Sequence, residues 1–170
     1  MTDRFVPASE RTRREHAIDH AALLPTILFA DADGDYRDMA RDALLEGRSP
    51  SDLRFVTDGQ DLLAYLHRRG RHLDPIGSPR PALIVLDIGL PKLGGLEAVR
   101  AIKSNPELRR IPVVALTDDV DAKTVAAAYD AGVNTYLAKP VTFLALVKLM
   151  KIFTAYWLDT ALLPPAAEAA

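Results

Sequence analysis

Between Pro81 and Pro91 the chain reads Ala82-Leu83-Ile84-Val85-Leu86 without one polar side chain, and then meets Asp87. A strand wetted on one face alternates apolar and polar residues. A run that does not alternate suits a strand covered on both faces, as in a parallel sheet flanked by helices. Gly89 and Pro91 turn the chain away just after the carboxylate. Asp87 therefore lies at the carboxyl end of its strand, where open α/β sheets place their sites.

The same pattern recurs along the chain. Thr26-Ile27-Leu28-Phe29-Ala30 is a short apolar strand that ends on Asp31. Met39, Ala40, Ala43 and Leu44 then share one face of a helix over 35–46, with Gly47 past its end. Leu53 to Val56 predicts a second strand, and Leu62, Leu63, Tyr65 and Leu66 a helix reaching about Arg69. Gly70 to Arg80 reads as an irregular loop. After the Asp87 strand, Gly94-Gly95 opens a helix with Leu96, Val99 and Ile102 inward. Ile111 to Leu116 predicts a fourth strand ending on Thr117. Ala122, Val125, Ala126 and Tyr129 follow at helical spacing, and Asn134 to Ala138 predicts a fifth strand ending on Lys139-Pro140. A long helix runs from Thr142 to about Leu158. Strict β/α alternation with short connections gives an α/β fold, a doubly wound five-stranded parallel sheet with helices on both faces.

Composition narrows the classes. The 170 residues carry a net charge of −2, which gives no global basic footprint for nucleic acid. There is no cysteine, so disulfides, thiol catalysis and zinc–thiolate sites are excluded. No apolar stretch reaches membrane-spanning length and the N-terminus has no signal-peptide core. A cytoplasmic protein without membrane contact is expected. Residues 1–25 read as an N-terminal arm, 26–158 as the folded domain and 159–170 as a C-terminal extension. His16, His20, His67 and His72 show no ligand spacing and are expected in solvent.

In the doubly wound architecture the strand ends share one edge, so Asp31, Asp33, Asp87, Thr117 and Lys139 should converge. Carboxylates, a hydroxyl and an ammonium at one edge suit a hard cation and a phosphoryl group. Mg2+ takes one or two carboxylates plus water and phosphate oxygens. A lysine answers phosphoryl charge, and a carboxylate can act as the nucleophile to form an acyl phosphate.

With these motifs the chain resembles a response-regulator receiver domain of two-component signalling, a flavodoxin-like fold. The resemblance covers about residues 26–158. It rests on Asp31-Ala32-Asp33, Leu86-Asp87-Ile88-Gly89-Leu90-Pro91 with Gly94-Gly95, Ala115-Leu116-Thr117, Asp130-Ala131-Gly132 and Tyr136-Leu137-Ala138-Lys139-Pro140. It implies that Asp87 accepts a phosphoryl group from a histidine kinase and that Thr117 and Lys139 bind its oxygens. It also implies Mg2+ held by Asp31, Asp33, Asp87 and the Gly89 carbonyl, Tyr136 as a rotating switch aromatic, and a cis Lys139–Pro140 bond. Such a domain is a phosphoprotein rather than an enzyme, with at most self-phosphorylation and autodephosphorylation. More narrowly, Arg80-Pro81-Ala82-Leu83-Ile84, Leu108-Arg109-Arg110-Ile111-Pro112 and Tyr156-Trp157-Leu158 are similar to the single-domain regulators paired with phytochromes, which do not bind DNA directly.

One position departs from the family. Receivers carry two adjacent acids after the first strand, the second of them a metal ligand, and here Ala32 stands in its place. A phosphate-independent binding module with a receiver fold is the alternative. Asp31-Ala32-Asp33 also matches the Asp-x-Asp of a haloacid-dehalogenase-like phosphatase, but Val141-Thr142-Phe143-Leu144 lacks that family's second acidic pair. An EF-hand loop starting at Asp31 has Tyr36 where glycine is required and Asp42 where a bidentate glutamate belongs.

From Phe143 to Leu158 apolar side chains wrap most of the last helix. A helix covering one side of a monomer needs only a stripe of about 100°. A homodimer through this helix and the C-terminal extension is expected, with Leu146, Met150, Phe153 and Trp157 at its interface.

Overall fold

A computed structural model describes residues 24–47 and 50–165. The arm before Leu24, with His16 and His20, lies outside the described residues. The sheet is five-stranded and parallel, in the order β2-β1-β3-β4-β5. Its strands are β1 (Thr26–Ala30), β2 (Asp52–Val56), β3 (Leu83–Leu86), β4 (Val113–Thr117) and β5 (Thr135–Ala138). The helices are α1 (Gly34–Glu46), α2 (Gly59–Leu66), α3 (Gly95–Ser104), α4 (Ala122–Ala131) and α5 (Phe143–Thr154). A 3-10 turn at Gly70–His72 interrupts the long loop, and a π-helical turn, Ala155–Thr160, extends α5. Among the described residues no helix is long and apolar enough to cross a membrane.

The period-2 geometry of a strand splits the apolar runs between two layers. Leu28, Ala30, Ile84, Leu86, Val113 and Ala115 face α2, α3 and α4. Ile27, Phe29, Leu83, Val85, Val114 and Leu116 face α1 and α5. This is why β1, β3 and β4 read as unbroken apolar runs: each neighbour in sequence belongs to a different core. β2 and β5 are the edge strands, and most of their residues are only half-buried.

Three sequence expectations are corrected by the packing. On α4 the buried residues are Ala128 and Ala131, while Tyr129 is half exposed, so the inward stripe lies a few positions from the one the periodicity suggests. His72 is buried rather than solvated. Its ring nitrogens meet Ser78 Oγ at 3.0 Å and Asp61 Oδ1 at 2.9 Å, and its ring tilts against Tyr65. The reason is the loop after α2, which folds back so that Arg71 and His72 tie it to Asp61, while Ser78 meets the other ring nitrogen of His72.

The third concerns the last helix. Leu146, Met150 and Phe153 follow one another by four and three residues, which puts them on one stripe. That stripe is the core-facing one, where all three are buried, and Trp157 continues it, partly buried. The apolar residues left outward are Phe143, Leu144, Ile152 and Tyr156. Leu146→Ala is expected to lose about 2–5 kcal/mol in urea unfolding, as fully buried leucines do. Ile152→Ala, at a residue 70% exposed, should stay within ~0.5 kcal/mol in the dilute monomer. Similar losses from both would contradict this orientation of α5.

Candidate functional site

The strand order reverses between β1 and β3, and at such a switch point the two crossovers diverge and leave a crevice at the carboxyl ends. Ladder bonds fix what stands there. Ala30 pairs with Leu86, and the Asp87 N–H continues the ladder onto the Ala30 carbonyl at 2.9 Å. Asp31 follows on β1 and donates its N–H to the Val56 carbonyl. Two carboxylates thus stand side by side because two adjacent strands stop together.

Lys139 joins them from β5. Thr117 pairs with Ala138, and the Lys139 N–H bonds the Thr117 carbonyl at 2.9 Å. The side chain then reaches inward until Nζ is 2.8 Å from both Asp31 Oδ2 and Asp87 Oδ2. It donates a hydrogen bond to Asp87. Its ion pair with the buried Asp31 Oδ2 is equally short. The other oxygen of Asp31 takes the Asp33 N–H at 2.9 Å. Asp87 Oδ1 takes the Gly89 N–H at 3.0 Å.

Burial and charge act on these groups differently. For Asp31 burial dominates and raises the carboxyl above its ordinary value despite Lys139. For Asp87 burial also pushes upward, but the Lys139 bond, the Gly89 N–H and the Thr117 hydroxyl together take it below its ordinary value. For Lys139 burial pulls downward, and the two carboxylates more than restore it, so the ammonium stays charged. The pocket therefore holds an ionised Asp87 beside a fixed cation, with a second carboxylate less content to be charged.

The remaining sequence-predicted residues fall as follows. Thr117 is buried at the end of β4. Tyr136 packs partly against the α2–α4 core, and its hydroxyl donates to the Asp119 carbonyl at 2.7 Å. Asp33 does not join Asp31 and Asp87 in a three-carboxylate group. Its Oδ1 accepts the N–H groups of Asp35 and Tyr36 as the N-cap of α1, since the chain turns straight from β1 into that helix. Among the described residues no three His, Asp or Glu side chains converge as a metal cluster. The Lys139–Pro140 bond is trans, not cis. Trans is the isomer an X–Pro amide favours by about 0.5–1 kcal/mol, and with it Nζ already reaches both carboxylates.

The pocket fits a divalent cation with fewer protein ligands than expected. The adjacent carboxylates of Asp31 and Asp87 supply the one or two carboxylates that Mg2+ uses. Ala32 offers no oxygen from its side chain, so water would complete the shell.

Three residues have supporting roles that the sequence reading did not assign. Lys92 bonds the buried Asp58 at 2.6 Å, and the Gly59 N–H bonds the Pro91 carbonyl, which ties the loop after Asp87 to the start of α2. Gly95 packs against the backbone of Asp87 itself: a Cβ there would lie 2.7 Å from the Asp87 carbonyl oxygen and 2.6 Å from Ile88 Cα. Tyr36, in the first turn of α1, lies under the Lys139 ammonium. Its only signal in sequence is an aromatic residue just after the acidic turn.

Residues 27–151 match the family model of the response regulator receiver domain. The chain belongs to the response-regulator receiver family. It is 37% identical over 140 residues to the response regulator Rcp1 of Synechocystis, an alignment covering 82% of this chain and 92% of that protein. Its fold is similar to the phosphorylated cyanobacterial phytochrome response regulator RcpA, with a TM-score of 0.77 and 33% identity over 83% of this chain and 99% of that one. It is similar also to the Mn2+-bound form of Rcp1, with a TM-score of 0.75 and 35% identity over 82% and 99%.

Removing the bridging cation has a defined pH signature. Asp87 has a lowered pKa, so its pairing stabilises the fold above the ordinary carboxylate range, and that stabilisation disappears as pH falls through the folded value. Lys139→Met is expected to lose roughly 3 kcal/mol at neutral pH, as when one partner of a buried ion pair is removed. The deficit should shrink as pH falls, first as Asp31, raised by burial, protonates and then as Asp87 passes through its lowered value. Urea unfolding of both proteins across pH 3–8 checks this. A deficit that does not depend on pH would refute it.

Proposed function

We propose that this chain is a two-component response regulator in which Asp87 accepts a phosphoryl group from a histidine kinase. The observation that carries this reading is Lys139 Nζ at 2.8 Å from both Asp31 and Asp87 at the switch point of the sheet. An Asp87 oxygen attacks the phosphorus of a phosphohistidine. The P–N bond breaks, its electron pair returns to the imidazole, and an acyl phosphate forms. Lys139 meets the incoming phosphoryl oxygens as a point charge, and the buried Thr117 hydroxyl at the neighbouring strand end donates to one of them. Bound Mg2+ would supply further charge neutralisation. Tyr136 would report the change by exchanging its bond to the Asp119 carbonyl for a more buried position. The chain's only chemistry in this reading is on itself, as it takes up the group and loses it to water.

The relatives named for phytochrome signalling favour a phytochrome-type kinase as donor. Residues 26–158 form the receiver unit in this reading, and contacts with protein rather than DNA carry the output. A homodimer through α5 remains part of the proposal. Its interface is reassigned to the outward residues Leu144, Ile152 and Tyr156, because Leu146, Met150 and Phe153 are consumed by the core. Sedimentation should give a dimer at micromolar concentration that Ile152→Glu dissociates; a monomeric wild type would remove the claim.

One observation favours a second reading. With Ala32 in the acidic turn and Asp33 spent as a helix cap, the metal pocket is thin, and a phosphate-independent binding module follows if it holds no Mg2+. Incubation with Mg2+ and acetyl phosphate, followed by intact mass, separates the two. A gain of one phosphoryl group, absent in Asp87→Asn, is expected. No gain at high Mg2+ would instead favour the binding module. Ala32→Asp is expected to raise Mg2+ affinity, measured by titration, since it adds a carboxylate beside Asp31 and Asp87.

A further inference from the structure

Tyr36 sits on the first turn of α1 and is only 7% exposed. That turn is fixed from two sides. The Asp33 carboxylate caps it through the N–H groups of Asp35 and Tyr36, and Arg37 bonds the Asp31 carbonyl at 2.7 Å. The Tyr36 ring packs in the core shared by α1 and α5. Lys139 Nζ lies 4.5 Å from the ring centroid, within the ~6 Å over which an aromatic face attracts a cation. The ammonium is itself almost wholly removed from solvent, where such an attraction is strongest.

The hydroxyl does not explain the burial. It is buried and has no hydrogen-bond partner among the described residues. Burial and the carboxylates of Asp31, Asp118 and Asp87 push its ionisation well above the ordinary phenol value, so it stays neutral. An unpartnered buried hydroxyl opposes folding. What the residue contributes is therefore its ring.

We propose that Tyr36 is a positioning residue of the phosphoryl site, whose ring face fixes the Lys139 ammonium between Asp31 and Asp87. A lysine ammonium is a point charge on a flexible four-carbon stem with no built-in direction. The two carboxylates hold it from one side. When Asp87 takes a phosphoryl group, that hold changes, and the ring is the contact that does not. The placement stands on geometry alone; its kinetic consequence rests on the reading of Asp87 as phosphoacceptor.

The test compares wild type, Tyr36→Phe and Tyr36→Leu, with Tyr36→Met in reserve should the leucine variant not fold. The first readout needs no phosphoryl donor. It is the NMR shift of the Lys139 ε-methylene protons, assigned by their absence in Lys139→Met. A ring face displaces them upfield in wild type and in Tyr36→Phe, and the displacement vanishes in Tyr36→Leu. A wild-type signal at the ordinary lysine position would overturn the proposal. The second readout is the rate of phosphorylation by acetyl phosphate with Mg2+. Tyr36→Phe is expected within about twofold of wild type and Tyr36→Leu slower by roughly 5–30-fold. Equal loss in both variants would assign the effect to the hydroxyl and overturn the proposal, as would a leucine variant at the wild-type rate. Wild type with displaced lysine protons but no phosphorylation would support the placement while sinking the phosphoacceptor reading.

Discussion

Everything at the working edge depends on one ammonium between two carboxylates. Parallel register stops β1 and β3 side by side, which forces Asp31 and Asp87 together. Two carboxylates so placed in a half-buried crevice cannot both ionise without a counter-charge. Lys139 supplies it from the far edge strand, so the site closes only when β4 and β5 are also in register. Fold and site are thus one constraint: a slip in any of four strands would leave a charge unpaired.

The pairing is unequal, and the inequality has chemical content. Asp87 is held ionised by a lysine, an N–H and a hydroxyl, as the proposed nucleophile would need to be. Asp31, the more deeply buried, has an elevated pKa, because burial outweighs its contact with Lys139. Its charged form is the more costly of the two, so a further positive ligand would favour it.

Much of this was legible in the residues. The unbroken apolar runs announced strands covered on both faces, and the polar residue that ends each of them announced the site. Asp31, Asp87, Thr117 and Lys139 could be found because strand ends in a doubly wound sheet must converge. Legibility failed where a side chain's partner is chosen by tertiary packing. Asp33 reads as a third carboxylate but serves as a helix cap. His72 reads as a surface residue, yet a loop of otherwise featureless sequence buries it between Asp61 and Ser78. On α5 the apolar excess was plain, but an all-round apolar helix has no marked inward side, and only the packed sheet selects Leu146, Met150 and Phe153. The isomer of Lys139–Pro140 and the ring beneath Lys139 leave no periodic trace.

Gly95 carries a consequence for reading mutational maps. It does no chemistry and bears no charge, yet its missing side chain is what lets α3 start flush against the carbonyl of Asp87. In a saturation screen scored by signalling output, this glycine should look as intolerant as the aspartate it supports. Proximity to the Asp87 backbone, rather than any chemistry of its own, would then explain the pattern. Abundance measured alongside output would tell the two apart, because Gly95 substitutions should deplete the folded protein far more than Asp87→Asn, which keeps the Asp31–Lys139 pair.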